Sequence, residues 1–140
     1  MAKFKKILVP LDGSSNSMRG LDRAIEIAKG SGAEITGFYV FHLPVAAGIK
    51  YTAKMKEEAQ RKAVKAIGPA MNKTQKAGAT FKYKTGGGHT GSEIVKAAEK
   101  GKFDMIVIGA RGIGGAKETF LGSTSNYVLH KTKIPVLVVK

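Results

Sequence analysis

The chain has 140 residues, no cysteine and a formal net charge of +14 at pH 7. This length suits one domain over residues 1–140, and the lack of cysteine excludes disulfides, thiol catalysis and thiolate metal sites. No apolar run approaches the ~18 residues of a membrane span, so we expect a cytoplasmic protein.

The basic excess consists almost entirely of scattered lysines. They include Lys54, Lys56, Lys62, Lys65, Lys82, Lys84, Lys131 and Lys133. Proteins that read nucleic acids usually add arginine forks and stacking aromatics to their lysines, and the sequence has neither cluster. A solvated lysine surface is therefore the favoured interpretation, and nucleic-acid binding that is weak and non-specific is the alternative.

The N-terminal part alternates strand and helix patterns. Residues 7–11 (ILVPL) predict a buried strand. Turn and cap residues follow at 13–16, and the next helix ends at Gly30 and Gly32. Residues 34–41 (EITGFYVF) are rich in β-formers and predict a second strand.

A long lysine-rich helix is predicted from Thr52 to Gly78. Pro69 predicts a kink or break in this helix, because proline removes a hydrogen bond and clashes with the preceding turn. Residues 79–85 then alternate aromatic residues with lysines, which predicts a half-exposed strand. Outward lysines suit a sheet edge, where they discourage pairing with other chains.

Gly86, Gly88 and Gly91 form the pattern G-x-G-x-x-G between a predicted strand and a predicted helix. This pattern resembles the dinucleotide-binding fingerprint. That fingerprint requires an acid at the end of the following strand, where this chain has Gly109-Ala110. It also follows a strand at the predicted sheet edge, whereas ligands bind where the strand order reverses. We therefore do not favour a dinucleotide site at these glycines.

The stretch from Met105 to Ser125 carries the clearest functional pattern. Residues 105–108 form an apolar run typical of a buried parallel strand, and glycines then lead to hydroxyl residues at a predicted helix start. Glycines let a backbone approach a ligand closely, and a helix N-terminus offers unpaired N–H groups and a positive dipole end. We therefore predict a phosphate site. Its residues are Gly109, Gly112, Gly122, Ser123, Thr124 and Ser125.

The whole pattern contains five strands alternating with four helices, of which the last strand is residues 134–139. Such alternation predicts an α/β fold, a doubly wound five-stranded parallel sheet with helices on both faces.

The glycine spacing resembles a family signature. Gly109, two residues, Gly112, nine residues, Gly122 and Ser123 match the pattern G-x2-G-x9-G-[S/T] of the nucleotide-binding branch of the universal stress protein family. Glycines alone would fit a surface loop before an ordinary helix cap equally well. The segments VPLDGSSNS, VIGARG and GSTSNYVLHKTKIPVLVV also resemble the family, so the resemblance covers essentially the whole chain.

The resemblance implies the strand order 3-2-1-4-5 and a ligand crevice between strands one and four, where the order reverses. Strand one ends in Pro10, Leu11 and Asp12. In the family, an aspartate at the position of Asp12 contacts the adenosine part, and a residue like Val40 meets the adenine through its backbone. Asp12 also fits a helix N-cap, and Arg111 fits either a phosphate contact or a solvent-facing position.

We therefore expect a stress-response protein that binds ATP, ADP or AMP and acts as a nucleotide-dependent regulator. The phosphate-loop motif, an arginine-finger candidate and a dense carboxylate pair are missing from the sequence. No catalytic residue and no structural metal are predicted, and any Mg²⁺ would be held mainly by phosphates and water, with Asp12 as a protein ligand. A slow ATP hydrolase or autokinase using the same pocket is the alternative.

Residues 134–139 form an apolar strand that the expected order places at a sheet edge. A bare apolar edge invites aggregation. Antiparallel pairing of two copies across a two-fold axis would satisfy its open hydrogen bonds. We therefore expect a homodimer through this strand, and many relatives in the family pair in this way.

Overall fold

Strands and helices alternate along the chain. The computed structural model describes residues 4–41, 52–111 and 121–140. The strands are β1 (Lys6–Pro10), β2 (Glu34–Phe41), β3 (Phe81–Gly87), β4 (Met105–Gly109) and β5 (Val136–Val139). The helices are α1 (Ser15–Ser31), α2 (Ala53–Lys76), α3 (Thr90–Lys100) and α4 (Ser123–Lys131). None of the helices in these ranges has the length and apolar character needed to cross a membrane.

The strands form one parallel sheet in the order β3-β2-β1-β4-β5. The predicted doubly wound sheet and its strand order are thereby confirmed. The chain moves outward from β1 to β3 in one direction and from β4 to β5 in the other. Right-handed crossovers consequently place α1 and α2 on one face and α3 and α4 on the other.

Side chains of β1 alternate between these two faces. Ile7 and Val9 pack with residues of α1 and α2, whereas Leu8 packs with residues of α3 and α4. All three side chains are fully buried. Burial on both faces explains why the central strands appear in the sequence as continuous apolar runs.

Of the predicted kink or break at Pro69, the break is wrong, because α2 continues through this residue. Proline leaves the carbonyl four residues earlier, that of Lys65, without its helical donor. Pro69 and Lys65 are both exposed, so water can satisfy that carbonyl. On the opposite side, Ile67 and Ala70 are buried in the core. Packing of this face therefore outweighs the helix-propensity cost of proline, which is about 3 kcal/mol.

The two outer strands each begin two residues later than predicted. β3 runs from Phe81 to Gly87, two residues later than predicted, and β5 begins at Val136 instead of residue 134. Pro135 has no N–H to donate, although its carbonyl oxygen accepts from the Ile106 N–H at 2.9 Å. Both strands occupy the sheet edges, as predicted.

Candidate functional site

A cavity of about 810 Å³ lies at the carboxyl ends of β1 and β4, where the strand order reverses. Open α/β sheets bind ligands at this position, and small-molecule sites typically measure ~300–1,000 Å³. Every predicted site residue that the structure describes lines the cavity, whereas Gly112 lies outside the described residues. The lining set includes Pro10, Leu11, Asp12, Val40, Gly109, Arg111, Gly122, Ser123, Thr124 and Ser125.

The N-terminus of α4 forms one end of the cavity. Its N-cap is Gly122, which makes no side-chain hydrogen bond to the first turn. The other three helices are capped by the side chains of Ser14, Thr52 and His89. An anionic group at this end of the cavity would therefore meet backbone N–H groups without a side-chain acceptor, together with the positive end of the helix dipole.

Short hydrogen bonds fix this helix end to β4. The Ala110 carbonyl oxygen accepts from the Gly122 N–H at 2.6 Å and from the Ser125 hydroxyl at 2.9 Å. A Cβ built on Gly122 would lie 3.2 Å from the same oxygen, so a larger residue would strain this junction. Ser125 is 2% exposed. Its hydroxyl proton is thus committed to the protein, which leaves Ser123 and Thr124 as the hydroxyl donors for a ligand.

Asn16 positions the start of the glycine segment without lining the cavity. Its side-chain oxygen accepts from the Arg111 N–H at 2.5 Å, and its amide nitrogen donates to the Val139 carbonyl at 3.5 Å. A Cβ built on Gly109 would lie 2.6 Å from that oxygen, so glycine is required there. The sequence around Asn16 indicates only a turn, because no local pattern signals a bond to a residue 95 positions away.

Asp12 lies half-buried after β1 and lines the cavity. Its Oδ1 accepts from the Ser14 N–H at 2.9 Å, an Asx turn that orients the carboxylate. The alternative role of Asp12 as the N-cap of α1 is wrong, since the Ser14 hydroxyl oxygen caps that helix by accepting from the Ser17 N–H at 3.1 Å. Burial, followed by the negative charge of Asp12, raises the pKa of the Tyr39 hydroxyl, which also lines the cavity.

An apolar wall lies on the side of the cavity formed by α3 and the carboxyl ends of β2 and β4. It consists of Phe38, Val40, Ile94 and Ile108, all buried in the core beneath α3 and α4. Among these, only Val40 is a predicted site residue. The other three were missed because apolar residues of buried elements show the same pattern whether they face the core or a cavity.

Lys62 and Lys65 border the cavity from α2. Both are exposed, as predicted for a solvated lysine face, but that interpretation missed their position beside the cavity. Lys62 lies one helical turn before Ala66, whose Cβ would be 4.0 Å from a Cβ built on Gly13. This contact places the lysine-bearing part of α2 next to the turn that carries Asp12.

The other glycine motif has packing roles. A Cβ built on Gly86 would lie 3.0 Å from the Phe38 ring, and one on Gly91 would lie 2.6 Å from the Tyr127 ring. Gly88 has a positive φ of 125°. None of these three glycines is among the described residues that line the cavity. Close contact between α3 and α4 and a turn in the backbone therefore account for the motif.

Comparison with known proteins shows agreement over nearly the whole chain. Residues 3–140 match the model of the universal stress protein family. The chain is 32% identical over 147 residues to the universal stress protein YxiE of Bacillus subtilis, and the match covers 98% of this chain and 99% of that protein.

Two solved structures extend this similarity to three dimensions. The universal stress protein UspA from Lactobacillus plantarum is similar with a TM-score of 0.87 at 24% identity, covering 100% of both chains, which supports the fold. A universal stress protein in complex with cAMP is similar with a TM-score of 0.76 at 27% identity, covering 99% of both chains.

Proposed function

The chain belongs to the universal stress protein family, and on this premise we propose that it binds an adenine nucleotide, ATP or its products ADP and AMP, as a nucleotide-dependent regulator. One observation carries the proposal. A helix N-terminus without a side-chain cap, a glycine at a strand end and an apolar wall all border one cavity at the switch point of the sheet.

Each part of a nucleotide has a matching part of this cavity. The phosphates suit the first turn of α4, where Gly122 permits close approach and Ser123 and Thr124 add hydroxyl donors. Asp12 is an acceptor for ribose hydroxyls, and the apolar wall that includes Val40 suits the base. The similar universal stress protein solved with cAMP supports an adenine nucleotide as the ligand class.

The nucleotide acts in this proposal as a ligand, with slow turnover at most. Among the described residues, no group of three or more His, Asp or Glu side chains is placed to hold a metal ion. Any Mg²⁺ would depend on phosphates, water and Asp12, an arrangement that magnesium accepts because it usually retains several waters. Steady-state assays with ATP and Mg²⁺ test this point, and a rate in the ~1–100 per second range of kinases would make the protein an enzyme.

The outer strand β5 supports the proposal of a homodimer. It lies at the sheet edge, and Leu137 on it is an exposed large apolar residue. Antiparallel pairing with a second copy would satisfy the open edge and cover this side chain. Val138→Lys should shift the protein to monomer or aggregate in light scattering, whereas a wild-type monomer at high concentration would contradict the proposal.

The direct test of function identifies what the protein carries and what it binds. Nucleotide released from purified, denatured protein is separated by chromatography, and the stripped protein is then titrated with adenosine, AMP, ADP and ATP in a calorimeter. We expect phosphate-dependent binding of adenine nucleotides. Absence of binding by correctly folded protein would overturn the proposed function.

A further inference from the structure

Two cationic side chains border the cavity on the side away from α4. Lys62 and Lys65 belong to α2, which packs with α1 on one face of the sheet, whereas α4 packs on the other face. Their i, i+3 spacing puts both side chains on the same side of the helix. The cavity therefore has positive charge at this position in addition to the anion-accepting end at α4.

These lysines have no acidic partner within the part of the chain that the structure describes. By contrast, Lys73, which lies further along α2, forms an ion pair with Asp22 of α1. The described residues lining the cavity include three bases and one acid, an excess of two positive charges. A ligand with two separate anionic groups would be attracted to these lysines as well as to α4, because no carboxylate of the described residues neutralises their positive charge.

The part of α2 that carries the lysines lies next to the turn that carries Asp12, the residue proposed to accept from a ribose hydroxyl. Ala66, one turn after Lys62, approaches the turn formed by Asp12 and Gly13. The Asp12 carboxylate is a hydrogen-bond acceptor, so it suits a sugar hydroxyl and repels a phosphate. In this arrangement the 5′-phosphates bind at α4 and one ribose hydroxyl donates to Asp12. The other ribose oxygen is then left for the neighbouring lysines, which would bind a phosphate attached to it.

We propose that Lys62 and Lys65 form a second anion position, which binds a phosphoryl group attached to the 2′ or 3′ oxygen of the ribose. The ligand class is an adenine nucleotide with a phosphate on the ribose as well as at the 5′ end. Asp12 accepts from the hydroxyl that remains free. This inference rests on the nucleotide site proposed above.

The experiment measures the gain in affinity from the second phosphate. Calorimetry at about 0.15 M salt, where charges beyond ~8 Å are largely screened, compares AMP, adenosine 3′,5′-bisphosphate and the 5′-phosphorylated dinucleotide pApA. We expect the bisphosphate to bind wild-type protein about tenfold more tightly than AMP. An equal gain with pApA would assign the group to a dinucleotide linkage, whereas a gain confined to the bisphosphate would assign it to a terminal phosphate, and both results support the proposal.

Two double variants test whether the gain comes from the cavity lysines. Lys62→Gln with Lys65→Gln should lower the ratio of bisphosphate affinity to AMP affinity from about ten to about one. The matched control, Lys54→Gln with Lys76→Gln, removes the same net charge from α2 at exposed positions outside the described cavity lining. This control should retain the gain.

Several results would overturn the proposal. They are an equal or weaker affinity for the bisphosphate than for AMP, a gain that persists without Lys62 and Lys65, and a gain lost equally in the control. A loss of ATP affinity alone in the Lys62 and Lys65 variant would assign these lysines to the 5′-phosphate tail instead. If wild-type protein binds none of AMP, ADP and ATP, the proposed function itself fails, so the two failures are distinguishable.

Discussion

Two glycine-rich segments of this protein join a strand to a helix, yet they have different neighbours. The segment from Gly86 to Gly91 begins at the end of the edge strand β3, where Gly86 lies against the ring of Phe38 and Gly91 lies against the ring of Tyr127. The segment from Gly109 to Gly122 begins at the end of the interior strand β4, and these two glycines border the cavity. A glycine at a strand–helix junction therefore indicates that another group lies close to the backbone. The position of the strand in the sheet decides whether that group is a side chain of the protein or a ligand in the cavity.

The caps of the two helices sharpen this difference. The His89 side chain caps α3, its Nδ1 accepting from the Ser92 N–H at 3.1 Å. Gly122 offers α4 no such acceptor. In α3 a side chain thus takes up one N–H group of the first turn, whereas in α4 no side chain of the described residues does so and these donors are left for a ligand.

The largest expected effect is on nucleotide binding by Gly122→Val. Valine would block the phosphates and crowd the Ala110 carbonyl, which lies 3.2 Å from a Cβ built there. We expect at least about a 100-fold loss of ATP affinity, or about 2.7 kcal/mol, measured by calorimetry on folded protein. If a folded valine variant binds ATP as tightly as wild type, the phosphate site has been assigned to the wrong segment.

The matched change in the other segment, Gly91→Val, should act on stability instead. Its Cβ would lie 2.6 Å from the Tyr127 ring between α3 and α4, and overpacking of this kind costs about 1–3 kcal/mol. Denaturant unfolding should show that loss, while ATP affinity of the folded fraction stays near the wild-type value. A selective loss of ATP binding at unchanged stability would assign the first segment to the ligand and remove the distinction between the two.

Asn16→Ala tests whether the second segment must be held in place from outside. The variant loses the acceptor for the Arg111 N–H and the donor to the Val139 carbonyl. We expect about a tenfold loss of ADP affinity with little change in adenosine affinity, because Asn16 holds the phosphate side of the site. Equal losses for both ligands would indicate general destabilisation and contradict this positioning role.

The smallest effect is expected at His89. Replacement by alanine removes the side-chain cap of α3, and loss of a cap typically costs about 0.5–2 kcal/mol. His89→Asn supplies another capping side chain and should restore most of the stability in a thermal melt. If alanine and asparagine behave alike, the hydrogen bond to the Ser92 N–H contributes nothing measurable to the fold.

Much of the fold could be predicted because its signals are local. Residues 34–41 combine β-formers with apolar character, and they form β2 with the predicted bounds. Pro69 was misleading for the opposite reason, since the packing of α2 on the sheet overrides a local preference that the sequence shows plainly. Edge strand β5 also began later than its apolar pattern suggested, because Pro135 supplies no backbone donor.

The sequence by itself determined the strand and helix pattern and the glycine-hydroxyl segment, because strand burial, helix starts and backbone freedom depend on residues close together in the chain. Tertiary structure alone decided that Lys62, Phe38 and Ile94 border the same cavity and that Asn16 holds Arg111. These relations join residues from separate elements whose distances follow from how helices pack on the sheet. Only the folded chain brings them together, and no pattern of neighbouring residues records such distances.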